Sequence, residues 1–157
     1  MLTYSMQIAG LQRELPICKI TDDLYIGAFI MFGDVVLTEK CAEELLKKAP
    51  EFDYIVTAEA KGIPLIHEIA RQTGENKYIL ARKAPKLYMK NIFESKVNSI
   101  TTAASQTLYI DGKDADEMRG KRVVIIDDVI STGESLRALE ELQNKDESSP
   151  TYGCSKW

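Results

Sequence analysis

Three short clusters in this chain carry residue types that do chemistry, and the densest is Asp127-Asp128 followed by Val129-Ile130-Ser131-Thr132-Gly133-Glu134-Ser135. Two adjacent carboxylates accept hydrogen bonds from vicinal hydroxyls but are no ligands for phosphate. A loop of small residues that opens a helix does the reverse, because its backbone N–H groups and the positive end of the helix dipole attract an anion. An acid pair followed by such a loop suits a pentose 5-phosphate, with its diol on Asp127 and Asp128 and its phosphate in residues 131–135. The second cluster is Glu59-Ala60-Lys61-Gly62. A lysine beside a glycine at a helix start pairs positive charge with backbone donors, a combination suited to pyrophosphate. The third, Arg82-Lys83-Ala84-Pro85-Lys86, offers three cations to offset phosphate charge. Each has a plainer alternative: Ser131 or Thr132 capping a helix, an ordinary turn at residues 60–62, and a solvated charge run at residues 82–86.

The elements that must hold these clusters read as buried strands. Val123-Val124-Ile125-Ile126 is a β-branched run without polar alternation, as expected for a strand covered on both faces of a parallel sheet, and Asp127 follows it. Tyr54-Ile55-Val56-Thr57 precedes the second cluster and Tyr78-Ile79-Leu80-Ala81 the third. Between them the sequence predicts helices over Thr38 to Lys48, with Cys41, Leu45 and Leu46 inward and Pro50 beyond its end, and over Ile63 to Gln72, stopped by Gly74. A further helix covers Leu136 to Leu142. Strands alternating with helices give an α/β doubly wound parallel sheet, whose strand carboxyl ends are where such folds bind ligands.

Residues 11–36 contain the strand-like pieces Leu15 to Ile20 and Leu24 to Phe32 and form a small N-terminal hood over the sheet edge. Residues 87–111 are rich in Ser, Thr, Asn and Lys and fit a flap hairpin with arms Val97 to Thr101 and Thr107 to Asp111. Whether that hairpin gates a site or is plain surface is open in the sequence. Phe29, Met31 and Phe32 are expected in the core, although one hood residue would still be placed to stack on a base. His67, the only histidine, lies in a helical pattern without triad partners and is expected to be structural.

The 157 residues fit a single domain, with the hood at about 1–36, a core at about 37–143 and an atypical tail at 144–157. A net charge of -4 leaves no electrostatic footprint for nucleic acid or an anionic membrane, and 45% hydrophobic content is ordinary globular usage. No apolar run approaches membrane-spanning length and the first residues lack a signal-peptide pattern, so a cytoplasmic location is expected. Cys18, Cys41 and Cys154 are odd in number and widely spaced, so they predict neither a disulfide framework nor a zinc site; buried or inert thiols are expected.

Residues 123–135 resemble the thirteen-residue phosphoribosyl-pyrophosphate (PRPP) motif of type I phosphoribosyltransferases. The segment at Glu59 to Gly62 is similar to the pyrophosphate loop of the purine branch, and Arg82-Lys83 resembles the adenine and xanthine enzymes. The resemblance, over about residues 8–143, implies transfer of ribose 5-phosphate from PRPP to a purine base with release of pyrophosphate, as in purine salvage. It implies a catalytic set of Lys61, Asp127 and Asp128. The ribose 5-phosphate would be held by residues 127–135, and the diphosphate by Glu59, Ala60, Lys61, Gly62, Arg82, Lys83 and Lys86. Mg²⁺ would be carried by PRPP with no direct protein ligand. The flap would fold over bound substrate and shield a reactive ribosyl cation from water. Hypoxanthine and guanine enzymes usually carry an aspartate where this chain has Ser131, which favours adenine; the long insert before Asp127 makes xanthine the second choice. A PRPP-sensing regulator without turnover is the alternative from another class. The tail from Asn144 to Trp157 departs from the family pattern, so an altered terminus and a bare sheet edge, covered by a second subunit in a homodimer, are expected.

Overall fold

The computed structural model describes residues 2–97, 106–130, 133–144 and 151–152. The chain opens with an antiparallel sheet of β1 (Thr3–Ile8), β2 (Leu11–Lys19) and β3 (Tyr25–Gly27), with Ile8 opposite Leu11 and Cys18 opposite Ile26. Ala9 (φ 50) and Gly10 (φ 78) make the two-residue turn between β1 and β2. Positive φ at both positions matches the twist of the flanking strands, as in a type I′ hairpin. This is the hood, and its first strand lies ahead of the strand-like pieces read in the sequence: β1 carries Tyr4, Met6 and Ile8 in alternation with Thr3, Ser5 and Gln7.

The next element, α1 (Val35–Leu46), begins three residues before the expected start. Its cap is Asp34, whose carboxylate accepts from Leu37 N at 2.9 Å. The same carboxylate takes Arg13 Nε at 2.7 Å and Nη2 at 3.2 Å, a two-pronged ion pair that ties β2 of the hood to the helix start.

Alternation then sets in as expected, with β4 (Tyr54–Ala58), α2 (Ile63–Thr73), β5 (Ile79–Ala81), the hairpin β6 (Phe93–Val97) and β7 (Gln106–Ile110), α3 (Gly112–Met118), β8 (Val123–Ile125), α4 (Glu134–Asn144) and β9 (Thr151–Tyr152). Among the described residues the main sheet runs β5-β4-β8-β9 with every pairing parallel. Its two-residue period separates two cores. Ile55, Val124 and Ile126 pack with Leu65, Ile66 and Ile69 of α2 and Ala42 of α1. Val56, Val123 and Ile125 face the other way, onto Ala138, Leu139 and Leu142 of α4, Met118 of α3 and Leu108 and Ile110 of the hairpin. Helices on both faces of a parallel sheet make the fold doubly wound.

Four expectations need correction. The first hairpin arm already starts at Phe93, ahead of the expected Val97, because Phe93 pairs with Ile110 and its ring packs on the α4-side core; residues 98–101 of the expected arm lie outside the described residues. Helix α3 was not foreseen, since Gly112-Lys-Asp-Ala-Asp-Glu-Met is mostly polar, although Asp111 caps it. The tail is not without strand: Thr151 and Tyr152 pair with Val123 and Val124, so β8 is not the bare edge expected. Two residues are too few to show periodicity, though both types favour strands. Phe32 is half-exposed rather than core. Of the thiols, Cys18 is free and exposed, Cys41 is free and partly buried, and Cys154 lies outside the described residues. No helix among the described residues is long and apolar enough to cross a membrane.

Candidate functional site

The carboxyl ends of β4, β5 and β8 lie side by side because the three strands are parallel and adjacent, so the loops that follow them open on one edge. The buried side chain of Thr57, in the strand that leads into this turn, explains Gly62. A Cβ there would collide with Thr57 Oγ1 and would stand 3.6 Å from the carbonyl oxygen of Ile126, the residue before Asp127. Thr57 is fully buried, and its hydroxyl has no hydrogen-bond partner among the described residues. The Glu59–Ala60 peptide bond is cis. Lys61 is exposed at the tip of this turn, close enough for its charge to favour ionisation of Asp127.

Asp127 and Asp128 are half-buried at the end of β8, and Asp127 Oδ1 accepts from Asp128 N at 2.9 Å. Burial, followed by the neighbouring Asp128 carboxyl, pushes Asp127 up to about 6, against the opposing pull of Lys61. Asp127 therefore holds its proton more readily than an ordinary surface acid does. Beyond it Val129 and Ile130 stand partly exposed. Ser131 and Thr132 lie outside the described residues, as do the side chains of Glu134 and Ser135. Gly133 takes φ 79 immediately before α4, a conformation open to glycine at little cost, and its carbonyl accepts from Arg137 N at 3.0 Å.

The third loop is bonded to the second. Glu59 Oε2 accepts from Arg82 Nε at 3.1 Å and from Lys83 N at 3.0 Å, which joins the ends of β4 and β5. These contacts, with the backbone N–H of Lys83 foremost, hold the Glu59 carboxyl below its usual range. Arg82 Nη1 donates to Tyr88 Oη at 3.0 Å, a partner that sequence reasoning missed. The Arg82 backbone is fixed against Tyr109 of β7 by two bonds of 2.8 Å. Lys86 lies near enough to Glu59 to favour its charged form. The structure thus brings Glu59, Lys61, Gly62, Arg82, Lys83, Lys86, Asp127 and Asp128 to one edge. The four cations Lys61, Arg82, Lys83 and Lys86 suit a phosphate ester, and the acids Asp127 and Asp128 suit a diol.

Against the acid pair opens a cavity of about 820 Å³ between the hood and α1, lined by Ile8, Leu15, Phe29, Leu45 and Ile130 among others. Its walls are mainly apolar, suited to a flat heterocycle. The alternation of Met6 and Ile8 was the signal available in the sequence for this wall. Among the described residues no three His, Cys, Asp or Glu side chains converge as metal ligands. The oxygen donors of Asp127 and Asp128 nevertheless fit a hard cation carried in by a diphosphate. His67 packs edge-to-face on Tyr78, ring centroids 6.1 Å apart, away from these groups.

The chain is similar to several known phosphoribosyltransferases. A hypoxanthine/guanine phosphoribosyltransferase of Methanosarcina acetivorans is 38% identical over 113 residues, 71% of this chain and 56% of the relative. The chain spans about half the length of the curated relatives it matches. Among solved structures, the adenine phosphoribosyltransferase of Thermoanaerobacter pseudethanolicus shares the fold with a TM-score of 0.65 at 21% identity, over 88% of this chain and 81% of its own. That of Saccharomyces cerevisiae, complexed with adenine and an imino-altritol bisphosphate, also gives 0.65, at 20% identity over 90% and 94%. The family model for a phosphoribosyl transferase domain matches residues 36–148, a stretch that contains all three loops, and the chain accordingly belongs to the phosphoribosyl transferase family.

Proposed function

We propose that this protein transfers ribose 5-phosphate from PRPP to a purine base and releases pyrophosphate. The observation that carries the reading is the placement of the Lys61 turn and the Asp127–Asp128 pair after two adjacent parallel strands, near enough for the Lys61 charge to act on Asp127. One small donor reaches both. Asp127 and Asp128 would receive the ribose hydroxyls, and the backbone around Gly133 the 5-phosphate. Lys61, Arg82, Lys83 and Lys86 would stabilise the charge that gathers on the leaving diphosphate as the anomeric carbon turns cationic. Mg²⁺ bound to the diphosphate would add charge neutralisation, and Asp127 and Asp128 offer oxygen donors that would suit it. The apolar cavity under Phe29 would hold the base and exclude water from the reacting centre.

Adenine is the proposed base. Ser131, in place of an acid, offers no group to manage the proton of a 6-oxopurine. Hypoxanthine or guanine is the second reading, favoured by the names of the relatives at 36–38% identity. A homodimer belongs to the same proposal, supported by the exposed apolar side chains Tyr4, Met6, Tyr25 and Ile26 on the hood; light scattering should give twice the chain mass. The decisive assay incubates the protein with PRPP, Mg²⁺ and adenine, hypoxanthine, guanine or xanthine in turn. Pyrophosphate release with adenine is the expected result. Release with hypoxanthine or guanine alone would replace the base assignment, and PRPP binding with no release from any base would replace the enzyme by a sensor.

A further inference from the structure

We propose that Glu59 is a positioning residue: its carboxylate aims the Arg82 guanidinium at the pyrophosphate end of the donor and does not itself touch the diphosphate. The inference rests on the transferase reading above and deepens it. An arginine side chain is costly to order, and holding its fork in place beforehand removes part of that cost from binding. Here two positions of the fork are held, Nε by Glu59 at 3.1 Å and Nη1 by Tyr88 at 3.0 Å, while Nη2 has no acceptor among the described residues. The anchor is itself fixed. Glu59 Oε2 also takes Lys83 N at 3.0 Å, and the Arg82 backbone is clamped to Tyr109.

The pair is about three-quarters buried, with side-chain exposures of 25% and 23%. Partial burial strengthens the bond over that of an ordinary surface ion pair. A carboxylate here repels an incoming diphosphate, so a role as direct ligand is chemically excluded, and charge balance is the rival explanation. The two roles differ in sign. If Glu59 only neutralised Arg82 and Lys86, removing its charge would tighten pyrophosphate binding; if it aims Arg82, removing its acceptor oxygens weakens it.

The test compares Glu59→Ala, Glu59→Gln, Glu59→Asp, Arg82→Ala and the double alanine variant, with circular dichroism to verify folding. Two readouts are taken: calorimetric affinity for magnesium pyrophosphate, and KM for PRPP and for the base where turnover exists. Glu59→Ala should weaken pyrophosphate and PRPP by about tenfold, the size expected for one charge-assisted hydrogen bond, and leave the KM for the base unchanged. Gln keeps the acceptor at the right reach and loses the charge, so it should recover most of the affinity; Asp keeps the charge and loses the reach, so it should recover less. In the Arg82→Ala background the Glu59→Ala change should add less than about twofold, since neighbours that act together are not additive. Unchanged or tighter pyrophosphate binding in Glu59→Ala, effects that multiply fully in the double variant, or Asp recovering more than Gln would overturn the proposal. The pyrophosphate titration needs no base, so failure of the transferase reading and failure of this inference are told apart. If Glu59→Ala does not fold, the Gln and Asp order decides alone.

Discussion

Asp127 is an acid whose surroundings work against its charge, whereas Asp53, bonded to Arg122 at the far end of β4, is held at about 2. A carboxyl raised on folding contributes stability that is fully present below its ordinary value and is lost as pH rises through about 6. At neutral pH the folded protein therefore carries an unfavourable anion. Asp127→Asn should raise stability at pH 8 by roughly 2 kcal/mol, an advantage that fades as the pH falls towards about 4. Urea denaturation at the two pH values checks this; a gap that widens in acid would contradict it. The same variant should lose PRPP affinity, because a carboxamide accepts through one oxygen only. Much of this site was legible residue by residue: the adjacent acids, Lys61 before Gly62 and the Arg82 cluster are local spacing facts. Two things were not. The raised Asp127 comes first from burial, and the Glu59 partnership joins residues 23 positions apart; neither is written in a local pattern.

Elements were read best where burial on both faces leaves no ambiguity. The β-branched run at Val123–Ile125 and the Ile63–Thr73 helix stopped by Gly74 are both where their composition puts them. Reading failed where context decides. The hairpin's first arm sits at Phe93 because of the Phe93–Ile110 pairing and the Arg82–Tyr109 bridge, both non-local. Its stem is further held by Ser95 Oγ donating to Glu141 of α4 at 2.7 Å, so this stem is part of the packed molecule, and residues beyond it would have to supply any gating. The hood turn offers a clean test at this scale. Ala9 stands at φ 50, where a Cβ meets the following carbonyl, and only Gly10 is suited to its own position. Ala9→Asn gives the Asn-Gly pair that such turns favour and should stabilise the protein by about 1 kcal/mol, read as a higher thermal midpoint with unchanged PRPP affinity. A lower midpoint would mean that the turn geometry is set by the hood's contacts instead.

At the scale of the whole molecule, sheet and hood are built by different rules. The hood strands pair with sequence neighbours, Ile8 with Leu11 and Cys18 with Ile26. In the main sheet Tyr54 pairs with Val123 and Val56 with Ile79, so a strand must wait for partners far along the chain. The fold class was legible because alternation of strand and helix is a global pattern, whereas the extra partner β9 was not, being two residues long. Docking the hood on the sheet domain uses Arg13 and Asp34, residues in none of the three clusters of site chemistry. Loop closure over such spans is entropically expensive and slows folding. In a refolding experiment the hairpin at the amino terminus should therefore regain its circular dichroism signal first, with the ability to quench a fluorescent PRPP analogue returning only in the slowest phase; simultaneous recovery would refute that order. The acids at the end of β8 owe their address to the Tyr54–Val123 register. A nascent copy of this protein accordingly cannot set its acid pair beside the Lys61 turn until residue 123 has found the strand that starts at Tyr54, some seventy positions earlier in the chain.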